Sequence, residues 1–100
     1  MSTLTTKQRA HLRSLAHGLR PILHIGREGV TPTALSAVEA AFNTRELLKV
    51  KVLEGAPQGA GESGEALAAG VRGAHLIQVI GRTVVLYRPH PERPELKLPR

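Results

Sequence analysis

Between Ile22 and Pro32 the chain has to stop being a strand and become a helix, and this constrains the fold more than any other stretch. The run "ILHI" (22–25) is short, apolar and β-branched, as buried strands are. It ends at "GREG" (26–29). Thr31 and Pro32 then make a strong helix start. The Thr hydroxyl can accept from a free N–H of the first turn, and the proline ring lacks only an N–H that the first helical position does not use. Pro21 blocks the continuation of any helix from upstream. A strand that feeds a helix so abruptly points to an α/β layer.

The rest of the chain alternates in the same way. "TTKQRAHLRSLAHG" reads as a helix: Thr5 and Gln8 have capping-box spacing, Leu12, Leu15, Ala16 and Leu19 form a stripe expected to be buried, and Gly18 is placed to end the helix in the left-handed conformation. "TPTALSAVEAAFNT" carries Leu35, Val38, Ala41 and Phe42 on one face. In "ELLKVKVL", Leu48, Val50 and Val52 alternate with Lys49 and Lys51, which predicts a strand with one face in the core and the other basic and wet. "EGAPQGAGESG" (54–64) is a mobile loop by composition, and "EALAAGVRG" is a weaker helix interrupted by Gly70, with Gly73 as its C-cap. "HLIQVI" and "TVVLYR" flank a two-residue turn at Gly81 and Arg82, the signature of a hairpin. The prolines of "PHPERPELKLPR" forbid regular pairing over most of that stretch. The predicted order is α-β-α-β-α-β-β in a single α/β domain (1–100), with a small four-stranded mixed sheet covered by helices. Its core spans about 4–89, and 90–100 is a Pro-rich basic tail.

Charge narrows the function. Fourteen Lys and Arg oppose eight acidic residues, all Glu, for a formal net charge of +6 and a pI near 10.8. On a small domain this points to a polyanionic partner, of which nucleic acid is the commonest. The only aromatic rings of the Phe, Tyr or Trp type are Phe42 and Tyr87. Readers that stack bases on a sheet need more, so binding would rest on backbone and phosphate contacts. No apolar run is long enough to span a membrane, no secretory signal pattern opens the chain, and cysteine is absent; a cytoplasmic location is expected.

Three features are candidate contacts. The "GREG" loop sets Gly26, Arg27, Glu28 and Gly29 before a helix N-terminus, where backbone N–H groups and the helix dipole favour an anion. GxxG alone is equally an ordinary turn that uses glycine for positive φ, and Glu28 is an unwelcome neighbour for phosphate. The first helix bears Lys7, Arg9 and Arg13, with Arg20 just beyond, and no acidic residue among them. The second strand offers Lys49 and Lys51.

Catalysis finds little support. None of the five histidines has metal-site spacing with a second ligand, no serine sits in a nucleophile elbow, and Asp is absent from the chain. The phosphate-loop pattern GxxxxGK[ST] is missing, which counts against a small-nucleotide site. Neither a cofactor nor a metal is expected.

The blocks "TTKQRAHLRSLAH", "IGREGVT", "ELLKVKV" and "VIGRTVVLYRP", in this order and spacing, resemble the CRM domain, the chloroplast RNA splicing and ribosome maturation module, and in particular its stand-alone bacterial YhbY-like members. The likeness runs from Leu4 to about Pro99. It implies a fold similar to the C-terminal domain of translation initiation factor three and RNA as ligand, with Gly26, Arg27, Glu28 and Gly29 in the place of a backbone-clamping GxxG loop. It further implies association with precursors of the large (50S) subunit, so the expected function is non-enzymatic binding of their ribosomal RNA; nothing in the sequence demands more than a monomer. The Gly/Ala-rich stretch from Glu54 to Gly64 departs from the family pattern. An alternative is a protein-interaction module that docks on a ribosomal protein or assembly factor.

Overall fold

The computed structural model of the protein describes residues 4–99. Its elements are α1 (Thr6–Ala16), β1 (Pro21–Ile25), α2 (Pro32–Ala41), β2 (Leu47–Val52), α3 (Ala60–Gly70), β3 (His75–Ile80) and β4 (Thr83–Tyr87). The strands form one sheet in the order β1-β2-β4-β3. β1 is parallel to β2, and the other two pairings are antiparallel. The chain thus adopts the expected α/β class, element order and mixed four-stranded sheet.

Alternation along β2 and β4 divides the core into two layers. Leu48, Val50, Val52, Val84 and Leu86 face α2 and α3, where Val38, Phe42 and Leu67 cover them. Leu47, Val85 and Tyr87 face the other way, under Leu12 and Ala16 of α1. Each large aliphatic side chain so buried contributes about 1.5–3 kcal/mol. α1 is short and covers only one end of its face. Further along, His24, Lys51, Thr83 and Ile80 form a register row across all four strands, and His24, Lys51 and Ile80 are exposed.

The helix starts follow the spacing. Thr5 Oγ1 accepts from the Gln8 N–H at 3.1 Å, and Gln8 Oε1 accepts from the Thr5 N–H at 2.9 Å. Thr31 Oγ1 accepts from the Ala34 N–H at 3.1 Å.

Other local expectations change. Leu15 and Leu19 are 40% and 39% exposed: α1 turns Leu12 and Ala16 to the apolar layer of the sheet, and Leu19 lies beyond its end at Ala16. Gly18 is not left-handed; the helix end is closed by the His17 N–H on the Ser14 carbonyl and the Leu19 N–H on the Ala16 carbonyl, and the Lys49 ammonium donates to the carbonyls of His17 (3.4 Å) and Leu19 (3.0 Å) just beyond it. The face of β2 expected to be wet is therefore only partly so, with Leu47 buried, Lys49 half-buried and Lys51 exposed. β1 is an edge strand in which only Ile25 is buried, and its register shifts at Ile22, between Pro21 and Leu23.

α3 begins at Ala60, inside the stretch expected to be loop, and Gly70 ends the helix rather than interrupting it. The reason is close approach. A methyl group on Gly64 would lie 2.9 Å from Leu76 Cδ1 and 3.0 Å from Val84 Cγ1, and one on Gly70 would lie 2.6 Å from Leu35 Cδ2. The composition that reads as a loop is what lets α3 lie against the sheet and α2.

Residues 90–99 fold back over the α1 layer. Glu46 is buried, and its carboxylate accepts from the backbone N–H groups of His90, Glu95 and Leu96. Leu96 and Leu98 pack beside Leu12 and Tyr87, and Gln8 Nε2 donates to the Pro99 carbonyl at 3.0 Å. No helix among the described residues is long and apolar enough to cross a membrane.

Candidate nucleic-acid interface

The Gly26–Gly29 loop is a tight turn closed by the Gly29 N–H donating to the Gly26 carbonyl at 2.9 Å. Arg27 and Glu28 are its exposed tip. The two glycines serve different ends. Gly29 has φ +74°, and a methyl group there would meet Pro57 Cγ at 2.9 Å, so the fold itself requires it. Gly26 has no positive φ, and a methyl group there would find only Leu53 Cδ1 at 3.9 Å, an ordinary contact.

Behind the loop lies an open groove of about 340 Å³ between the free edge of β1 and α2. Its walls are Leu23 and His24 on one side and Thr33, Ala34 and Ala37 on the other, with the loop across its end. The N-terminus of α2 contributes less hydrogen bonding than the sequence pattern implies. Pro32 has no N–H, and the Ala34 N–H is already capped by Thr31. The dipole still favours an anion at this end, and no acidic residue lies in the first turn.

The remaining predicted contacts do not form one site with the loop. Lys51 is exposed and pairs in register with His24, close to the loop. Lys49 is committed to the end of α1. It shares a groove with Arg13 between α1 and β3, on the opposite face of the sheet. Arg9 is also committed, its Nη1 donating to the Leu76 carbonyl at 2.9 Å. Lys7 and Arg20 are exposed, before and after these. Among the described residues the one ion pair joins Arg82 and Glu54 at 3.7 Å, so Arg27 is not neutralised by Glu28. No three His or Glu side chains among the described residues converge as a metal site.

Sequence reasoning missed Pro57, Leu53, Thr33, Ala34 and Ala37, whose part depends on contacts between distant segments. A capped helix after the glycines was the one legible signal that a groove would stand there.

Comparison with known proteins gives the family. Residues 4–88 match the family model of the CRS1/YhbY (CRM) domain. The chain is 41% identical over 96 residues to the probable RNA-binding protein YqeI of Bacillus subtilis, covering 96% of this chain and 99% of that one. It is 39% identical over 100 residues to an RNA-binding protein of Haemophilus influenzae, covering 100% and 99%. The solution structure of the hypothetical protein SAV1595 from Staphylococcus aureus superposes with a TM-score of 0.81 at 39% identity, covering 97% of this chain and 100% of that one. The chain belongs to the CRS1/YhbY (CRM) domain family.

Proposed function

We propose that this is a non-enzymatic RNA-binding protein, acting as a monomer on ribosomal RNA of a maturing large subunit, and that the RNA backbone enters at the Gly26–Gly29 loop and lies along the groove beside α2. The observation that carries this reading is Gly26. Neither backbone conformation nor packing demands a glycine there, and a missing side chain at the mouth of a groove lets a ligand's backbone come close. Arg27 supplies the charge-assisted contact. The net charge of +6 and the names of the relatives support RNA as the polyanion.

The test is binding to a ribosomal RNA fragment across a salt series, with wild type beside Arg27→Glu. Contact with about four to six phosphates gives a slope of log affinity against log salt of roughly −3 to −5. The variant is expected to bind more weakly with a shallower slope. A shallow wild-type slope and an indifferent variant would reject the loop as the RNA site. Binding to a ribosomal protein or assembly factor that survives nuclease treatment, with no affinity for naked RNA, would instead favour the docking-module alternative.

A further inference from the structure

A second groove, of about 430 Å³, opens on the opposite face of the sheet between the C-terminal half of α1 and β3. Arg13 and His17 form one wall, Lys49 the base, and Gln78 and Ile80 the other wall. α1 carries no acidic residue, while the Glu residues of the helices, Glu39, Glu62 and Glu65, are all on α2 and α3 behind the sheet. Among the described residues no Glu lines this groove; the C-terminal end of α1 disfavours a phosphate, and the Lys49 ammonium offsets it at the His17 and Leu19 carbonyls just beyond the helix. Ile80 is 49% exposed and offers an apolar surface to a base, and the Gln78 carboxamide has both a donor and an acceptor for a base edge. Arg13 is left for phosphate. The size suits a single nucleotide rather than a duplex, which is read by shape across a wide minor groove.

We infer that this groove is a second site for single-stranded RNA, so that one protein chain holds two RNA strands, one on each face of the sheet, and brings them together. The inference rests on the RNA-binding reading above. β1 and β2 stand between the two grooves, because Lys49 projects to the α1 side of β2 while its neighbours Leu48 and Val50 face α2 and α3.

The experiment uses a single-stranded oligonucleotide of roughly eight nucleotides, within the span one small domain covers, prepared with donor and with acceptor dyes. Stoichiometry is read by native mass spectrometry and proximity by energy transfer. Wild type is expected to carry two strands per chain and to show transfer. Arg13→Glu combined with Gln78→Glu is expected to keep one strand and lose the transfer, as is Arg27→Glu alone; the strand each variant retains reports that it is folded. A wild-type complex with one strand per chain overturns the second site, and so does loss of all binding in Arg27→Glu. Failure of wild type to bind RNA at all would instead reject the RNA-binding reading, and the second site with it.

Discussion

A methyl group added to Gly29 would sit 2.9 Å from Cγ of Pro57, across the junction between the β1–α2 loop and the segment that follows β2. The left-handed φ of +74° adds backbone strain to this clash. Gly29→Ala should therefore cost about 1–3 kcal/mol of stability. Gly26→Ala should change stability by less than about 0.5 kcal/mol, while weakening RNA binding about tenfold, or about 1.4 kcal/mol. Urea denaturation of the two variants separates them. Equal unfolding midpoints would mean that neither the Pro57 contact nor the left-handed φ demands a glycine at 29.

Glu46 makes the fold sensitive to acid. Burial by itself would raise its pKa. Hydrogen bonds from the backbone of His90, Leu96 and Glu95, with the charge of His90 nearby, outweigh burial and hold the carboxyl below its ordinary value. On acidification the unfolded chain therefore takes up this proton first. The contribution to stability is complete above the ordinary Glu range and is lost as pH falls through the lowered folded value. Glu46→Gln should be less stable at neutral pH by about 1–3 kcal/mol and should lose less stability than wild type on the acid limb. Parallel acid limbs for the two proteins would contradict the role given to this carboxylate. Amide exchange at Leu96 should rise in the variant as the 90–99 segment loosens.

The glycines of α3 separate two effects that composition confounds. A methyl group added to Gly61 would meet nothing within 4 Å, whereas one on Gly64 would be crowded by Leu76 and Val84. Gly61→Ala should stabilise the protein by about 0.5–1 kcal/mol by reducing the freedom of the unfolded chain. Gly64→Ala should destabilise it by about 1–3 kcal/mol through overpacking. Thermal unfolding of the pair gives the signs directly, and a stabilising Gly64→Ala would mean that α3 does not lie as close to the sheet as described.

What the sequence made legible is what depends on near neighbours. The Thr5–Gln8 box, the Thr31–Pro32 start, the alternation of β2 and the Gly81–Arg82 turn are each set within a few residues, and each is present. The errors have a different cause. Leu15 and Leu19 keep helical spacing with Leu12, but whether a stripe is covered depends on the length of the helix and on which end of the sheet it crosses. Glycines 61, 64 and 70 look like flexibility because the side chains that need the absence of a methyl group at two of them, Leu35, Leu76 and Val84, lie on other elements. Gly26 and Gly29 look equivalent until Pro57 is placed beside one of them. Lys49 and Lys51 look equivalent for the same reason.

Those two lysines give the cleanest separation of fold from binding. Both project from the same face of β2, two residues apart. Lys49 donates to two carbonyls just beyond the end of α1, whereas Lys51 is exposed beside His24, two residues before the Gly26–Gly29 loop. Lys49→Met should cost about 0.5–1.5 kcal/mol, the worth of such hydrogen bonds, and should fray the end of α1. Lys51→Met should leave stability within about 0.5 kcal/mol of wild type. If Lys51 contacts a phosphate, its removal weakens binding evenly across RNA sequences and makes the salt slope shallower by about 1. The measurement is a denaturation curve and a salt titration for each variant. A Lys51→Met protein with an unaltered salt slope would take the open end of the sheet out of the RNA-binding surface and leave the loop to act alone.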